Sequence, residues 1–495
     1  MRLLRAVLFA AAAVGLATAA RADVKPHPLF TDNMVLQQGA NIVVWGKADP
    51  KENVTVELSR QTANEGSATG SGVAADADGN WKVVLPKQSA GTGYTLTIKG
   101  KNTVTLKNVA VGEVWVCSGQ SNMEWPVDRC GEPEKVKAGS KNPNLRLFTV
   151  KKRTATAPIT DQNDLGHFTK WDESGPETVG GFSATAYHFG ANLQKSLNVP
   201  VGLIHTSWGG TPAQAWTSLE ALDAVPELKY YADAGRNAAR GKQPVAPGTP
   251  GSLYNAMIHP LLPLTIKGAI WYQGESNAGR AFEYRTLFPA MIEDWRKKWG
   301  SDFPFYCVQL APFIDGDPDG VRYAELREAQ FLTTRNLPNV GMAVITDAGD
   351  LFDIHPKDKG TVGARLALAA RAGTYGQKVA GSGPVFKEMK VDGEKAILSF
   401  DSLGGGLVGR YGPAQFNATG AIAGFEACGD DKAFYPARAK IEGNTVVVTC
   451  EKVGKPVAVR FGWKNYPVVN LYNKDGLPAT PFRTDDFPLT TAPKK

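Results

Sequence analysis

Cysteine and histidine are both scarce in this chain, with five of the first and six of the second among 495 residues. Five cysteines are too few for a disulfide-built scaffold. They include no Cys-x-x-Cys, and the histidines form no His-Glu-x-x-His, so the common zinc motifs are missing and neither metal nor cofactor is expected. Lysine and arginine form no dense cluster, and the formal charge is only +7, which argues against a nucleic-acid partner. After residue 20 no stretch approaches the roughly 20 apolar residues that a bilayer span needs.

What is present is ample core material: 43% hydrophobic residues, 11 Trp and 21 Phe. The length predicts two or three domains. Arg2 and Arg5 precede an apolar run from Ala6 to Ala20 that ends in Ala20-Arg21-Ala22, the pattern of a cleaved export signal over residues 1–22. Its removal leaves 52 basic against 48 acidic residues, a charge of +4. The mature chain is therefore expected to be exported, periplasmic or extracellular, with no membrane contact after cleavage. In an oxidising compartment Cys117 with Cys130 and Cys428 with Cys450 are candidate disulfides, whereas Cys307, inside Pro304–Leu310, reads as a buried strand thiol.

Three zones follow one another. Short alternating runs at Asn41–Gly46, Val54–Leu58, Trp81–Leu85, Tyr94–Ile98 and Val104–Leu106, broken by turn residues such as Asp78-Gly79-Asn80, predict a β-sandwich over 23–110. From 111 to 380 apolar strands alternate with amphipathic helices. The strands are expected at Glu113–Cys117, Pro200–His205, Gly268–Tyr272, Phe305–Leu310 and Gly341–Thr346. The helices are expected at Phe182–Leu197, Tyr284–Trp299, Tyr323–Arg335 and Val362–Ala372. That alternation implies a parallel sheet covered on both faces. β character returns in 381–495, at Ala396–Phe400, Thr445–Thr449 and Pro456–Arg460.

A parallel sheet places active-site residues just beyond the C-terminal ends of its strands. Four unusual clusters lie there: Cys117–Trp125, Thr206–Trp216, Trp271–Asn277 and Asp347–Pro356. A serine hydroxyl needs a base within reach and donors aimed at the oxyanion it creates. Ser121, two residues after Gly119, is the candidate nucleophile, although a serine in such a loop is more often a helix cap. Of the six histidines, only His355 stands beside carboxylates in a loop, Asp353 two residues before it and Asp350 five; His205 ends a strand and reads as structural. Gly210 offers an oxyanion N–H, and Gln273 or Asn277 a side-chain donor. Trp125, Trp208, Trp216 and Tyr272 are candidates to stack on a sugar, with core packing expected for at least half of them.

Gly119-Gln-Ser-Asn-Met123, Ser207-Trp-Gly-Gly-Thr-Pro212, Trp271-Tyr-Gln-Gly-Glu-Ser276 and Asp353-Ile-His-Pro356 resemble the blocks of the SGNH hydrolases, in particular the sialate O-acetylesterase branch, in order across residues 110 to 375. The resemblance implies a flavodoxin-like three-layer α/β/α sheet flanked by β regions at both ends. It also implies a serine esterase that removes O-acetyl groups from carbohydrate: Ser121 the nucleophile, His355 its base, Gly210 and Gln273 the oxyanion helpers. Gln120, Asn122, Trp208, Glu275 and Asn277 are the candidate substrate contacts. The acetylated carbohydrate is either a sialic acid or a plant polysaccharide such as xyloglucan or xylan. Two departures stand out: Gln273–Asn277 replaces the usual Gly-x-Asn-Asp block, and Phe352 occupies the position three before the histidine where the class carries its Asp. Asp353 is the first choice for the orienting acid, Asp350 the reserve, and a Ser-His dyad oriented by a backbone carbonyl the third option. Two other functions compete, a glycoside hydrolase using Glu124 and Glu275 and a carbohydrate-binding protein with a degenerate esterase core.

Overall fold

The computed structural model describes residues 23–60, 68–160, 164–241, 244–316, 320–410 and 421–493; the expected export signal lies outside them. Six parallel strands run side by side in the order Asn142–Thr149, Val201–Ser207, Thr103–Gly119, Gly268–Tyr272, Phe305–Val308 and Val340–Ala343. The short strand Asp172–Ser174 pairs antiparallel at one edge. The chain thus starts in the middle of the sheet, fills one side and then the other. The crevice beside Thr103–Gly119 is the point where strand order reverses, and there an open α/β sheet binds its ligand.

Alternate residues of these strands feed two separate cores, as strand geometry demands. Trp115, Cys117, Ile270, Tyr272, Tyr306 and Val308 face one layer, covered by helices Ala184–Leu197 and Lys359–Gly373. Val114, Val116, Ala269, Trp271, Phe305 and Cys307 face the other, where helices Ala281–Trp299 and Arg322–Asn336 pack. The fold is the three-layer arrangement expected for this class. Helix Ala184–Leu197 starts where Ser183 Oγ accepts the Ala186 N–H at 3.1 Å and stops at Asn198 in a left-handed conformation.

Strand Thr103–Gly119 is longer than its sequence signal suggests. Its first half pairs with Gly91–Lys99 and exposes alternate residues, whereas from Val109 onward every residue is buried. One strand therefore carries the N-terminal β layers directly into the catalytic sheet, and its change from alternating to continuous apolar character marks the passage from one-sided to two-sided cover. A separate sheet is formed by Lys25–Pro26, Ile42–Lys47 and Asn80–Leu85. The C-terminal region forms separate antiparallel sheets, among them a five-stranded one containing Lys395–Asp401 and Thr445–Thr449.

All five thiols are free, which corrects the expected Cys117–Cys130 and Cys428–Cys450 pairs. Cys117 is enclosed within the central strand, and the Cys130 thiol donates to the adjoining Gly131 carbonyl at 3.3 Å. Cys428 belongs to the sheet containing Ala458–Phe461, whereas Cys450 follows a strand of the five-stranded sheet. Cys307 is the buried strand thiol anticipated. No helix among the described residues is long and apolar enough to cross a membrane.

Candidate active site

Register brings the motifs together. Gly119 lies opposite both Ser207 and Tyr272, so three of the four clusters leave the sheet at one level. Gly119 has φ +143°, and a Cβ there would fall 2.2 Å from the Tyr272 carbonyl oxygen, so only glycine lets the strands stay paired to their ends. The Gln120 N–H then donates to Tyr272 O at 3.0 Å and the Trp208 N–H to Gly119 O at 3.1 Å, tying the three loops at their roots.

Ser121 opens a single helical turn, Ser121–Glu124, closed by the Trp125 N–H on Ser121 O at 2.8 Å. Its Cβ lies 3.2 Å from where a Cβ of Gly209 would stand, so glycine there preserves the space beside the serine. Glu124 fixes the Gly209 loop by accepting its N–H at 2.6 Å and pairs with Lys152 at 2.5 Å. Gly210 follows in a left-handed conformation, φ +74°, with open space where a side chain would be.

The fourth cluster arrives from Asp347–Asp358 and docks on this turn. Asn122 Nδ2 donates to the Ile354 carbonyl at 2.9 Å, and the Trp125 ring stacks on the His355 imidazole with centroids 4.7 Å apart and planes 15° from parallel. The histidine thus reaches the serine turn across more than 230 residues of chain. Asp353 Oδ1 accepts the His355 backbone N–H at 2.8 Å and lies 3.6 Å from Nδ1, an electrostatic partner just beyond hydrogen-bond range. Asp350 instead accepts the Phe352 and Asp353 N–H groups and shapes the loop. Phe352 is 79% exposed and takes no orienting role. Burial pulls the His355 pKa below the usual histidine value, helped by the cation of Lys359 and opposed by Asp353 and Glu124, which favours the neutral imidazole.

The polar residues expected at the substrate are committed to protein partners. Gln273 donates to Asn277 Oδ1 at 2.7 Å and to Thr211 O at 3.4 Å, while its own Oε1 accepts from Tyr284 at 2.8 Å. Asn277 also takes the Ala213 N–H and donates to Gln214. Gln120 Oε1 accepts the Ser276 N–H at 3.2 Å. Gln120, Gln273 and Asn277 are therefore the frame that holds the walls of the crevice; a direct role for Gln273 on an oxyanion would require that frame to open. Trp216 and Tyr272 are fully enclosed and belong to the core, while Trp208 is half-buried beneath the Lys152 ammonium. Glu275 Oε1 accepts from Asn122 Nδ2 at 2.6 Å, so both carboxylates of the glycosidase alternative are engaged.

Lys359 was invisible to motif reasoning. It is completely buried at the start of helix Lys359–Gly373 and donates to Asn122 Oδ1. A lysine three residues beyond a His-Pro pair carries no signal until the loop folds over Asn122.

The chain is similar to known proteins of one family. Residues 111–371 match the family described as carbohydrate esterase, sialic acid-specific acetylesterase. The human sialate O-acetylesterase is 32% identical over 502 residues, covering 92% of this chain and 91% of its own length. The mouse sialate O-acetylesterase is 30% identical with similar coverage. The crystal structure of a carbohydrate acetylesterase from Xanthomonas citri superposes with a TM-score of 0.83 at 39% identity, over 94% of this chain and 100% of that one. By sequence across nearly its whole length and by fold, the chain belongs to the sialic acid-specific acetylesterase family of carbohydrate esterases and is a carboxylic ester hydrolase.

Proposed function

We propose that the protein is an exported serine esterase that removes acetyl groups from sugar hydroxyls through an acetyl-Ser121 intermediate. The observation that carries the reading is the docking of the Ile354–His355 segment on the Ser121 turn, through the Asn122–Ile354 hydrogen bond and the Trp125–His355 stack. His355 takes the Ser121 proton as Oγ attacks the acetyl carbonyl, and Asp353 stabilises the resulting imidazolium. The oxyanion is held by the backbone N–H groups of Ser121, at the start of its helical turn, and of Gly210. Collapse breaks the bond to the sugar oxygen, which receives the proton from His355. Water, deprotonated in turn by His355, then releases acetate and regenerates the serine.

Trp208, half-exposed beside Gly209, is the aromatic surface left to a sugar ring. The relatives' names favour acetylated sialic acid or another acetylated carbohydrate, and the exported site suits an extracellular glycan. Ser121→Ala tests the mechanism: acetate release from an acetylated glycan should fall by about 10⁴-fold or more with the melting temperature unchanged. Retained turnover would falsify the assignment. Acetate release across acetylated sialosides, xylans and xyloglucans identifies the substrate, with acetylated sialosides expected to be turned over fastest.

A further inference from the structure

Beneath the nucleophile turn lies a cation whose position is unfavourable three times over. Lys359 has no exposed surface, it occupies the first turn of a helix where the macrodipole repels positive charge, and its hydrogen-bond partner is a neutral amide. Its ammonium sits over the Tyr272 ring at 5.4 Å and the Trp125 ring at 6.0 Å. Folds tolerate such local conflicts where function needs them.

Asn122 is held between this cation and a carboxylate. An ammonium can only donate and a carboxylate only accept, so Lys359 on one side and Glu275 on the other leave one orientation of the amide: Oδ1 toward Lys359, Nδ2 toward Glu275 Oε1. In that orientation, and not in the flipped one, Nδ2 also donates to the Ile354 carbonyl, one residue before the imidazole. Glu275 Oε2 is buried without a partner, while Oε1 takes the Asn122 amide and nearby backbone N–H groups also favour the carboxylate.

We propose that Lys359 is a positioning residue of the esterase: its buried ammonium fixes the Asn122 amide so that Nδ2 holds the Ile354 carbonyl, and with it the His355 imidazole, against the Ser121 turn. The inference rests on the Ser121–His355 reading and adds to it a residue that touches neither substrate nor reacting atoms. The charged and titratable groups around Lys359 are Glu275, Asp353, Asp358, Cys130 and His355. Burial lowers its pKa to about 7, against the opposing pull of the carboxylates. On the acid side of neutrality the ammonium is therefore charged and helps keep His355 unprotonated.

The test compares full-length wild type, Lys359→Met, Lys359→Gln and Ser121→Ala on p-nitrophenyl acetate, with kcat and KM measured across pH and the fold checked by thermal melting. Lys359→Met should lower kcat by about 100-fold with KM within threefold, the scale expected when a base is misplaced by an ångström. Its acid limb should move upward by about half a pH unit, since the cation that disfavours imidazolium is gone. Lys359→Gln, which restores a donor to Asn122 without charge, should recover most of kcat but keep the displaced limb. The proposal is overturned if folded Lys359→Met retains kcat within threefold, if kcat and KM deteriorate together with the acid limb unmoved, or if neither Lys359 variant folds, which would make the residue part of the core. Activity surviving in Ser121→Ala would instead defeat the underlying mechanism, whatever the lysine variants do.

Discussion

Two of the buried cations, one in each helical layer over the central sheet, are held differently. Arg327, in helix Arg322–Asn336, spends its guanidinium on four carbonyl oxygens from two separate segments: Leu310 and Ala311 at the end of one strand, Lys464 and Asn465 in the C-terminal region. Lys359 meets one side-chain acceptor and two aromatic faces beneath the Ser121 turn. Burial lowers both pKa values, to about 9 for the arginine and about 7 for the lysine. The planar fork of arginine can satisfy many fixed backbone acceptors at once, which suits a permanent joint between regions. A lysine with few partners stores little stability, and a buried charge kept on such terms points to work at the neighbouring site.

Breaking the joint should produce the largest stability change. Arg327→Met leaves four buried carbonyl oxygens without their donor, and urea unfolding should show a loss of about 3 kcal/mol or more. The fraction that remains folded should keep wild-type KM and kcat, because no part of the guanidinium reaches Ser121 or His355. Lys359→Met should show the reverse pattern, with the fold held and turnover lost. If Arg327→Met instead loses activity without losing stability, the division between the two cations fails.

Imidazoles allow the same separation at smaller scale. His205 is enclosed at the end of its strand, hydrogen-bonded to Ser207 Oγ at 2.6 Å, and burial holds its pKa near 4. The folded protein keeps this ring neutral while the unfolded chain protonates it below its ordinary value of about 6.5, so stability is full above that pH and is lost as pH falls toward 4. Between pH 7 and pH 5 the wild type should lose about 2 kcal/mol that His205→Asn does not lose, read from denaturant melts at the two pH values. For His355, the carboxylate of Asp353 works in the opposite direction to burial. Asp353→Asn should therefore shift the acid limb of kcat/KM to lower pH and reduce its plateau by about tenfold; an upward shift would exclude Asp353 as the partner of the imidazole.

Much of the strand and helix pattern was legible in the chain. Gly268–Tyr272 and Thr445–Thr449 form strands with the ends their apolar runs suggest, and helix Ala281–Trp299 follows its 3.6-residue face despite Pro289 inside it. Periodicity misses the strand Asn142–Thr149, whose first half is polar, and the helices Leu219–Ala224 and Lys229–Arg240. Of the site, Ser121, His355 and the glycines stand out only through the clusters they sit in, because a serine in such a loop is more often a helix cap. Gln273 and Asn277 were equally visible, but sequence cannot tell an amide that faces a substrate from one that braces a wall. Only their partners Tyr284, Ala213 and Gln214 decide it.

Residue order alone established the alternation of strand and helix, the four clusters at strand ends and the chemistry their side chains can perform. These are local properties of apolar period, turn residues and functional groups. Tertiary structure decided which amide orients which group, that the thiols stay apart, and that a lysine lies under the serine turn. Those outcomes depend on contacts between segments far apart in the chain, where burial turns an ordinary side chain into a shifted charge or a committed hydrogen bond.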